Sequence, residues 1–326
     1  MTDPLIQGSS GIEGALISYA STNENKQDIY IFTANEPVTW SVSGGEKNLF
    51  VIDSNTGKLS FKESPDFESS FDVNGTIIEF ETNYFTDSVN NTFYLELYSS
   101  ENSGFQVTPN TINNFLAYIN DGSYQDTLIH RLVSDFVIQS GGYTRPTNSS
   151  NHVDGSPASI ASKGTIINEP GNSNLLGTIA MAKVAGDADS ATSQFFINLA
   201  NNKNLDNQNG GFTSFGHVLG NGIENPMLLN DQKRYSVNYS QNNLQFSEIP
   251  LNNITSNLIS TENYFSFTNI KQIDNRPTQI ANKYNVIVTA EDDSGNKSSQ
   301  YVIVNVDDIH GETLFGDSLN NKLKNK

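Results

Sequence analysis

Short apolar runs punctuated by Gly, Asn, Asp and Ser recur along this chain, and most of them alternate with period 2. Such runs read as β-strands bounded by turns. Near the N-terminus, Ile29-Tyr30-Ile31-Phe32, Val38-Thr39-Trp40-Ser41-Val42, Leu49-Phe50-Val51-Ile52 and Lys58-Leu59-Ser60-Phe61 are four of them, with the turn Asp53-Ser54-Asn55-Thr56-Gly57 before the last. Near the C-terminus, residues 283–290 and 299–306 alternate about the turn Asp292-Asp293-Ser294-Gly295-Asn296. Between them, 76–81 and 92–98 predict a first hairpin, Thr178-Ile179-Ala180-Met181-Ala182 and Gln194-Phe195-Phe196-Ile197 predict buried strands, and 264–270 a closing strand. Helical period is rare. Thr108-Pro109 opens one helix, with Pro suited to a first helical position and Ile112, Phe115, Leu116 and Ile119 forming one apolar stripe. Pro226-Met227-Leu228-Leu229 predicts a second, short one. Residues 1–25 read as a linker or frayed strand, and 231–262 fit no strong pattern. The fold class expected is mostly β.

Composition supports turns over helices: 36% of residues are apolar and only 17% charged, so uncharged polar residues dominate the remainder. A length of 326 residues suits about two domains of ~100–200 residues. The net charge of −18 opposes nucleic-acid binding, which needs clustered Lys and Arg, and favours calcium and an extracellular setting. With no cysteine, disulfides and thiolate metal sites are excluded. No run approaches the ~20 apolar residues of a membrane span. The first 20 residues lack the basic and apolar regions of a usual secretory signal, so export would need another route.

Polar residues among the central strands are few: Arg131, Gln139 and Gln194. An apolar pocket with a small number of aimed donors is the general form of a ligand site. The order His130-Arg131 … Ile138-Gln139, then Gly177-Thr178-Ile179-Ala180-Met181-Ala182, then Ser193-Gln194-Phe195-Phe196-Ile197, then Phe215-Gly216 resembles the cyclophilin family of peptidyl-prolyl cis-trans isomerases. The resemblance implies a closed eight-stranded barrel with two helices over residues 72–274. It implies catalysis without a cofactor, on Pro-containing polypeptides. It makes Arg131 the catalytic arginine, Phe136 and Phe196 aromatic walls of the proline slot, and Gln139 and Gln194 the glutamines that anchor substrate and orient the arginine. Phe136 and Gln139 are thereby grouped with Arg131 as catalytic. The substrate-binding set it implies is Val137 (where methionine is usual), Ala182, Lys183 (in place of an asparagine), Gln194, Phe196, Leu205 and Phe212 (in place of a histidine or tyrosine). Without the motif, the aromatic residues and Leu205 would be core, Arg131 a surface arginine, and the glutamines partners of buried backbone. Four histidines and no Gly-x-Ser-x-Gly leave no case for a hydrolase triad.

The flanks are similar to a cadherin-like repeat in the Trp40 strand, Phe50-Val51-Ile52-Asp53 … Thr56-Gly57-Lys58-Leu59, Pro65-Asp66-Phe67-Glu68, Ala290-Glu291-Asp292 … Gly295-Asn296 and Val304-Asn305-Val306-Asp307. A split cadherin-like β-sandwich is therefore expected over 26–68 and 280–309, with the barrel inserted in one of its loops. Long insertions are tolerable because loop-closure cost grows slowly. This second resemblance implies a structural calcium ion on Glu68, Asp292, Asp307 and Asp308, which also read as ordinary turn and strand-end residues. Residues 310–326 form a tail similar to the start of a Gly/Asp-rich calcium repeat. The resulting expectation is a secreted or surface isomerase of a bacterium, beside neighbouring repeats or cell-surface partners. Its rivals are a Pro-peptide-binding module without turnover and a calcium-dependent adhesin.

Overall fold

The computed structural model describes residues 3–67, 71, 73–84, 91–146, 156–239, 244–254 and 259–309. It divides into two compact units, both discontinuous in sequence: Met1–Val73, Leu219–Asn221 and Asn275–Lys326 in one, Asn74–Val218 and Gly222–Asp274 in the other. No helix among the described residues is long and apolar enough to cross a membrane.

In the first unit the N-terminal stretch gives β1 (Ile6–Gln7), β2 (Ile17–Asn23), β3 (Asp28–Ile31), β4 (Thr33–Ala34), β5 (Thr39–Ser43), β6 (Phe50–Ile52) and β7 (Lys58–Phe61). The C-terminal stretch adds β21 (Lys283–Glu291) and β22 (Lys297–Asp307). They form a four-stranded sheet in the order β2-β22-β21-β5, a three-stranded sheet β3-β7-β6, and the small pair β1-β4. Trp40, Val286, Val288, Val302 and Val304 of the larger sheet share one apolar cluster with Phe50, Leu59 and Phe61 of the smaller. Alternation on both sheets thus supplies a single core. The turn before β7 depends on Gly57, whose φ of +70° and approach to the Phe32 carbonyl leave no room for a side chain.

Residues 1–25 depart from the linker or frayed strand expected of them. β2 is a seven-residue strand paired in parallel with β22 along its whole length, from Ile17 opposite Tyr301 to Asn23 opposite Asp307. Its buried positions are Ser18, Ala20 and Thr22, small or polar residues whose alternation hydropathy does not register.

The second unit is a curled sheet with the helices α1 (Pro109–Asn120) and α2 (Glu224–Met227). Its strands are β8 (Thr76–Thr82), β9 (Thr92–Leu97), β10 (Thr127–Leu128), β11 (Arg131–Val133), β12 (Val137–Ser140), β13 (Tyr143–Thr144), β14 (Ala158–Ser159), β15 (Thr178–Met181), β16 (Phe195–Asn198), β17 (Ser214–Val218) and β20 (Ser266–Ile273). They run in the order β11-β12-β16-β15-β17-β9-β8-β20-β10-β13-β14. Residues 127–133 pair through β10 with β20 and through β11 with β12, which brings distant parts of the ladder onto one chain segment. Phe80, Phe93, Phe115, Phe195 and Phe267 pack ring against ring in the interior. α1 begins at Pro109 as expected, and its buried residues are Thr111, Ile112, Phe115 and Tyr118, with Leu116 and Ile119 half-buried. Its first free N–H groups are taken by the Glu169 carboxylate, at 3.1 Å from Asn110 and 2.9 Å from Thr111.

Residues 231–262, where no pattern was expected, contain an antiparallel hairpin, β18 (Arg234–Tyr239) and β19 (Leu244–Pro250). Phe246, Ile249 and Leu251 pack with Leu128 and Tyr264 in a small core of their own. The alternation Tyr235, Val237, Tyr239 was the available signal.

Candidate active site

Strand register builds the site. Arg131 lies opposite Gln139, Gln139 opposite Phe196, and Phe196 opposite Ala180. Residues paired directly across strands share a face of the sheet. One lateral row therefore places the arginine, a glutamine and the aromatic wall on the same face. The opposite face carries Ile138, Phe195, Ile197 and Ile179, all buried. Val137, Ala180, Phe196 and Leu205 form a distinct apolar cluster, with Phe136, Ala182 and Phe212 packed against it and partly exposed. All the apolar slot residues expected from the sequence thus meet in one place. Phe196 and Phe212 meet edge to face at 5.8 Å.

The walls are held by polar groups that the sequence reading missed. Phe136 follows a tight turn in which Asp135 adopts φ of +55° and is bonded twice to Asn230, at 2.8 and 2.9 Å. The Phe136 carbonyl accepts from the Asn202 amide at 2.8 Å, and Asn202 donates in turn to Asn198 at 2.7 Å. Asp206 accepts from the backbone and side chain of Asn174, whose amide also donates to the Phe212 carbonyl at 3.0 Å. Phe212 N–H donates to the Leu205 carbonyl at 2.9 Å. Each buried amide is thereby satisfied while fixing one wall.

Arg131 is about a third exposed, and its Nε donates to Glu248 of β19 at 3.1 Å. Neither terminal guanidinium nitrogen donates to another group among the described residues. The glutamines meet each other. Gln139 Nε2 donates to Gln194 Oε1 at 2.8 Å, so the pair is bonded to itself and the arginine is held by Glu248. Ala182 gives its N–H to the Gln194 carbonyl at 2.9 Å and keeps its own carbonyl open among the described residues. The Lys183 ammonium is engaged by backbone and by a ring of the slot. It donates to the carbonyls of Asn209 and Gly211 at 2.8 and 2.7 Å and lies 4.8 Å from the Phe212 ring centre, and burial pushes its pKa down. His130, beside Arg131, is buried, and loss of hydration lowers its pKa to about 4, so it is neutral near pH 7.

The expected calcium ligands do not gather. Glu68 lies outside the described residues. The Asp292 carboxylate is occupied by its own turn, accepting from the Asn296 side chain at 2.7 Å and from the backbone of Ser294 and Asn296 at 2.8 and 2.9 Å. These bonds, the Asn296 side chain first, hold its pKa below the usual value. No group of three or more potential metal ligands is present among the described residues.

Comparison with known proteins gives the site a family. Peptidyl-prolyl cis-trans isomerase A of Dickeya dadantii is 37% identical over 118 residues, covering 35% of this chain and 56% of that protein. A peptidyl-prolyl cis-trans isomerase of Acinetobacter baylyi is 34% identical over 148 residues, covering 44% and 66%. The chain thus spans between about half and two thirds of the length of these relatives. A solved structure of a Cryptosporidium parvum cyclophilin type isomerase overlays 62% of this chain and 99% of that one, at 19% identity and a TM-score of 0.40. The family described as cyclophilin type peptidyl-prolyl cis-trans isomerase/CLD matches residues 86–254, which hold Arg131, the slot and Glu248 and make up just over half of the sequence. The chain belongs to the cyclophilin type peptidyl-prolyl cis-trans isomerases.

Proposed function

We propose that this chain accelerates rotation about X-Pro bonds in polypeptides, with the row Arg131–Gln139–Phe196–Ala180 as its working surface. The barrier to that rotation, ~18–20 kcal/mol, comes from amide resonance. A donor to the prolyl nitrogen stabilises the twisted state, in which the lone pair has left conjugation, more than either planar one. The pyrrolidine ring would seat on Val137, Phe196, Leu205 and Phe212, with Phe136 at its side, and the open Ala182 carbonyl and the Gln139–Gln194 pair would bind the flanking peptide. Arg131 then aims a terminal N–H at the nitrogen. Its free terminal nitrogens beside an apolar slot are the observation that carries this reading. Arg131→Ala should lower kcat/KM toward a Pro-containing tetrapeptide by about 100-fold. Equal rates for the two proteins would leave only a Pro-peptide-binding groove.

The finer picture is also proposed. The curled sheet is taken as the family's closed eight-stranded barrel, a reading supported by the two-way pairing of residues 127–133. The two-sheet unit is taken as a cadherin-like carrier, supported by its four-plus-three strands and the parallel β2–β22 pair. Placement at a bacterial surface, with calcium on the Asp307–Asp308 end, extends that reading. A rise of several degrees in the melting temperature of the two-sheet unit with calcium over chelator is the expected result; an unmoved transition removes the metal.

A further inference from the structure

We infer that Glu248 is a positioning residue for Arg131, delivered to the site by the β18–β19 hairpin; this rests on the reading of Arg131 as the catalytic donor. The guanidinium has three nitrogens, and Glu248 takes only the inner one, Nε, at 3.1 Å. A carboxylate there restrains rotation about the last side-chain bond and fixes the plane of the fork, while both terminal nitrogens stay available. The family resemblance assigns orientation to the glutamines, but Gln139 and Gln194 are bonded to each other at 2.8 Å. Among the described residues, no side chain other than Glu248 bonds the arginine.

The hairpin is built to hold that carboxylate still. Phe246, two residues before Glu248, packs against Tyr143 at 5.0 Å and His130 at 6.1 Å. His130 immediately precedes Arg131, so the ring that seats the strand and the carboxylate that holds the arginine meet adjacent residues. Ile249, next to Glu248, is fully buried in the same hairpin core as Phe246. Register with β18, Phe246 opposite Val237 and Ile249 opposite Tyr235, closes the support. Glu248 itself is about a third exposed, as a group serving an open groove must be, and its removal leaves no large cavity.

The test uses the whole chain and a Pro-containing tetrapeptide, with kcat and KM separated by magnetisation-exchange spectroscopy. Glu248→Ala should lower kcat by about tenfold and leave KM within about twofold, because orientation and not peptide contact is lost. Glu248→Asp, which keeps the charge, should recover most of the rate. In an Arg131→Ala background Glu248→Ala should add nothing. A wild-type rate in Glu248→Ala, or an equal loss in the Arg131→Ala background, overturns the positioning role. The ¹⁵N spectrum separates this from the isomerase reading itself. The Arg131 Nε–H signal should be protected from exchange in the unsubstituted chain and lost in Glu248→Ala, whether or not the chain turns over. A signal that persists in Glu248→Ala overturns the inference even if isomerisation is confirmed.

Discussion

Among the described residues each unit contains one arginine–glutamate pair, and the two pairs meet their donors in opposite ways. In the two-sheet unit, Arg276 and Glu46 have side chains 5% exposed. All three guanidinium nitrogens are committed: Nη1 to Glu46 at 2.6 Å, Nε to the Ile280 carbonyl at 3.1 Å, and Nη2 to the Lys283 carbonyl. The ring of Tyr284 lies 4.6 Å beneath the guanidinium. Glu46 meanwhile accepts from the backbone of Asn285 at 3.0 Å and of Gly220 at 3.3 Å. In the curled-sheet unit, Arg131 and Glu248 are 37% and 36% exposed and share one bond. A buried pair must have every donor met, because unmet charge in a low-dielectric interior is costly. A pair at a groove can leave donors open, because water serves them until a ligand arrives. Saturation suits a staple; terminal nitrogens with no bond among the described residues leave Arg131 able to meet a ligand.

The largest expected effect breaks the staple. Glu46→Ala leaves the Arg276 charge and the Asn285 and Gly220 N–H groups without their acceptor, and should cost about 3–5 kcal/mol in the stability of the two-sheet unit. Trp40, the chain's single tryptophan, sits in that unit's core, so its fluorescence follows the transition directly. A denaturation midpoint that stays put would mean the pair is no staple. Glu248→Ala should do the reverse, lowering turnover while shifting stability by less than about 1 kcal/mol, the value of a solvent-exposed ion pair. Similar effects from the two substitutions on both readouts would erase the distinction.

That contrast also explains what the sequence could disclose. Arg131, Gln139 and Phe196 sit in strands whose register gives them a shared face, and Phe136 and Gln194 immediately precede β12 and β16, so the family resemblance carried by their order along the chain already implied a site. Glu248 lies 117 residues from its partner and Glu46 lies 230 from Arg276. No periodicity links such pairs, and each depends on how distant strands are brought together. The same holds for Asn174, Asn198, Asn202 and Asp206, whose residue types read as loop yet are buried or half-buried to brace the slot. Glu169, which caps α1 from 58 residues away, belongs with them. β2 was hidden for another reason: Ser18, Ala20 and Thr22 are buried by pairing with β22, not by their own hydropathy.

His130 sharpens the comparison from the other side, as a titratable group buried next to Arg131 with no carboxylate bonded to it. It is flanked by the rings of Tyr143 and Phe246 at 5.2 and 6.1 Å, and its backbone N–H donates to the Gln139 carbonyl at 3.1 Å. Loss of hydration is the main reason its pKa falls from 6.5 to about 4, outweighing the hydrogen bonds with the Leu128 backbone and Gln194 that favour the charged form, while the Arg131 charge adds to the fall. Between about pH 4 and 6.5 the unfolded chain therefore binds more protons at this site than the folded one, so stability rises with pH there. The contribution is complete above pH 6.5, is lost as pH falls toward 4, and changes no further below it. At one pKa unit per 1.36 kcal/mol, the loss is about 3 kcal/mol. The check is chemical denaturation of the chain at pH 7.0, 5.5 and 4.0, followed by the near-ultraviolet circular dichroism of the tyrosines buried in the curled-sheet unit. Carboxylates titrate in the same experiment, so the quantity read is the difference between the unsubstituted chain and His130→Gln. The variant should lack the part of the slope that His130 supplies and so lose about 3 kcal/mol less between pH 7 and pH 4. Parallel curves for the two proteins would show that burial beside Arg131 leaves His130 free to ionise, and that an unpaired charge is tolerated there after all.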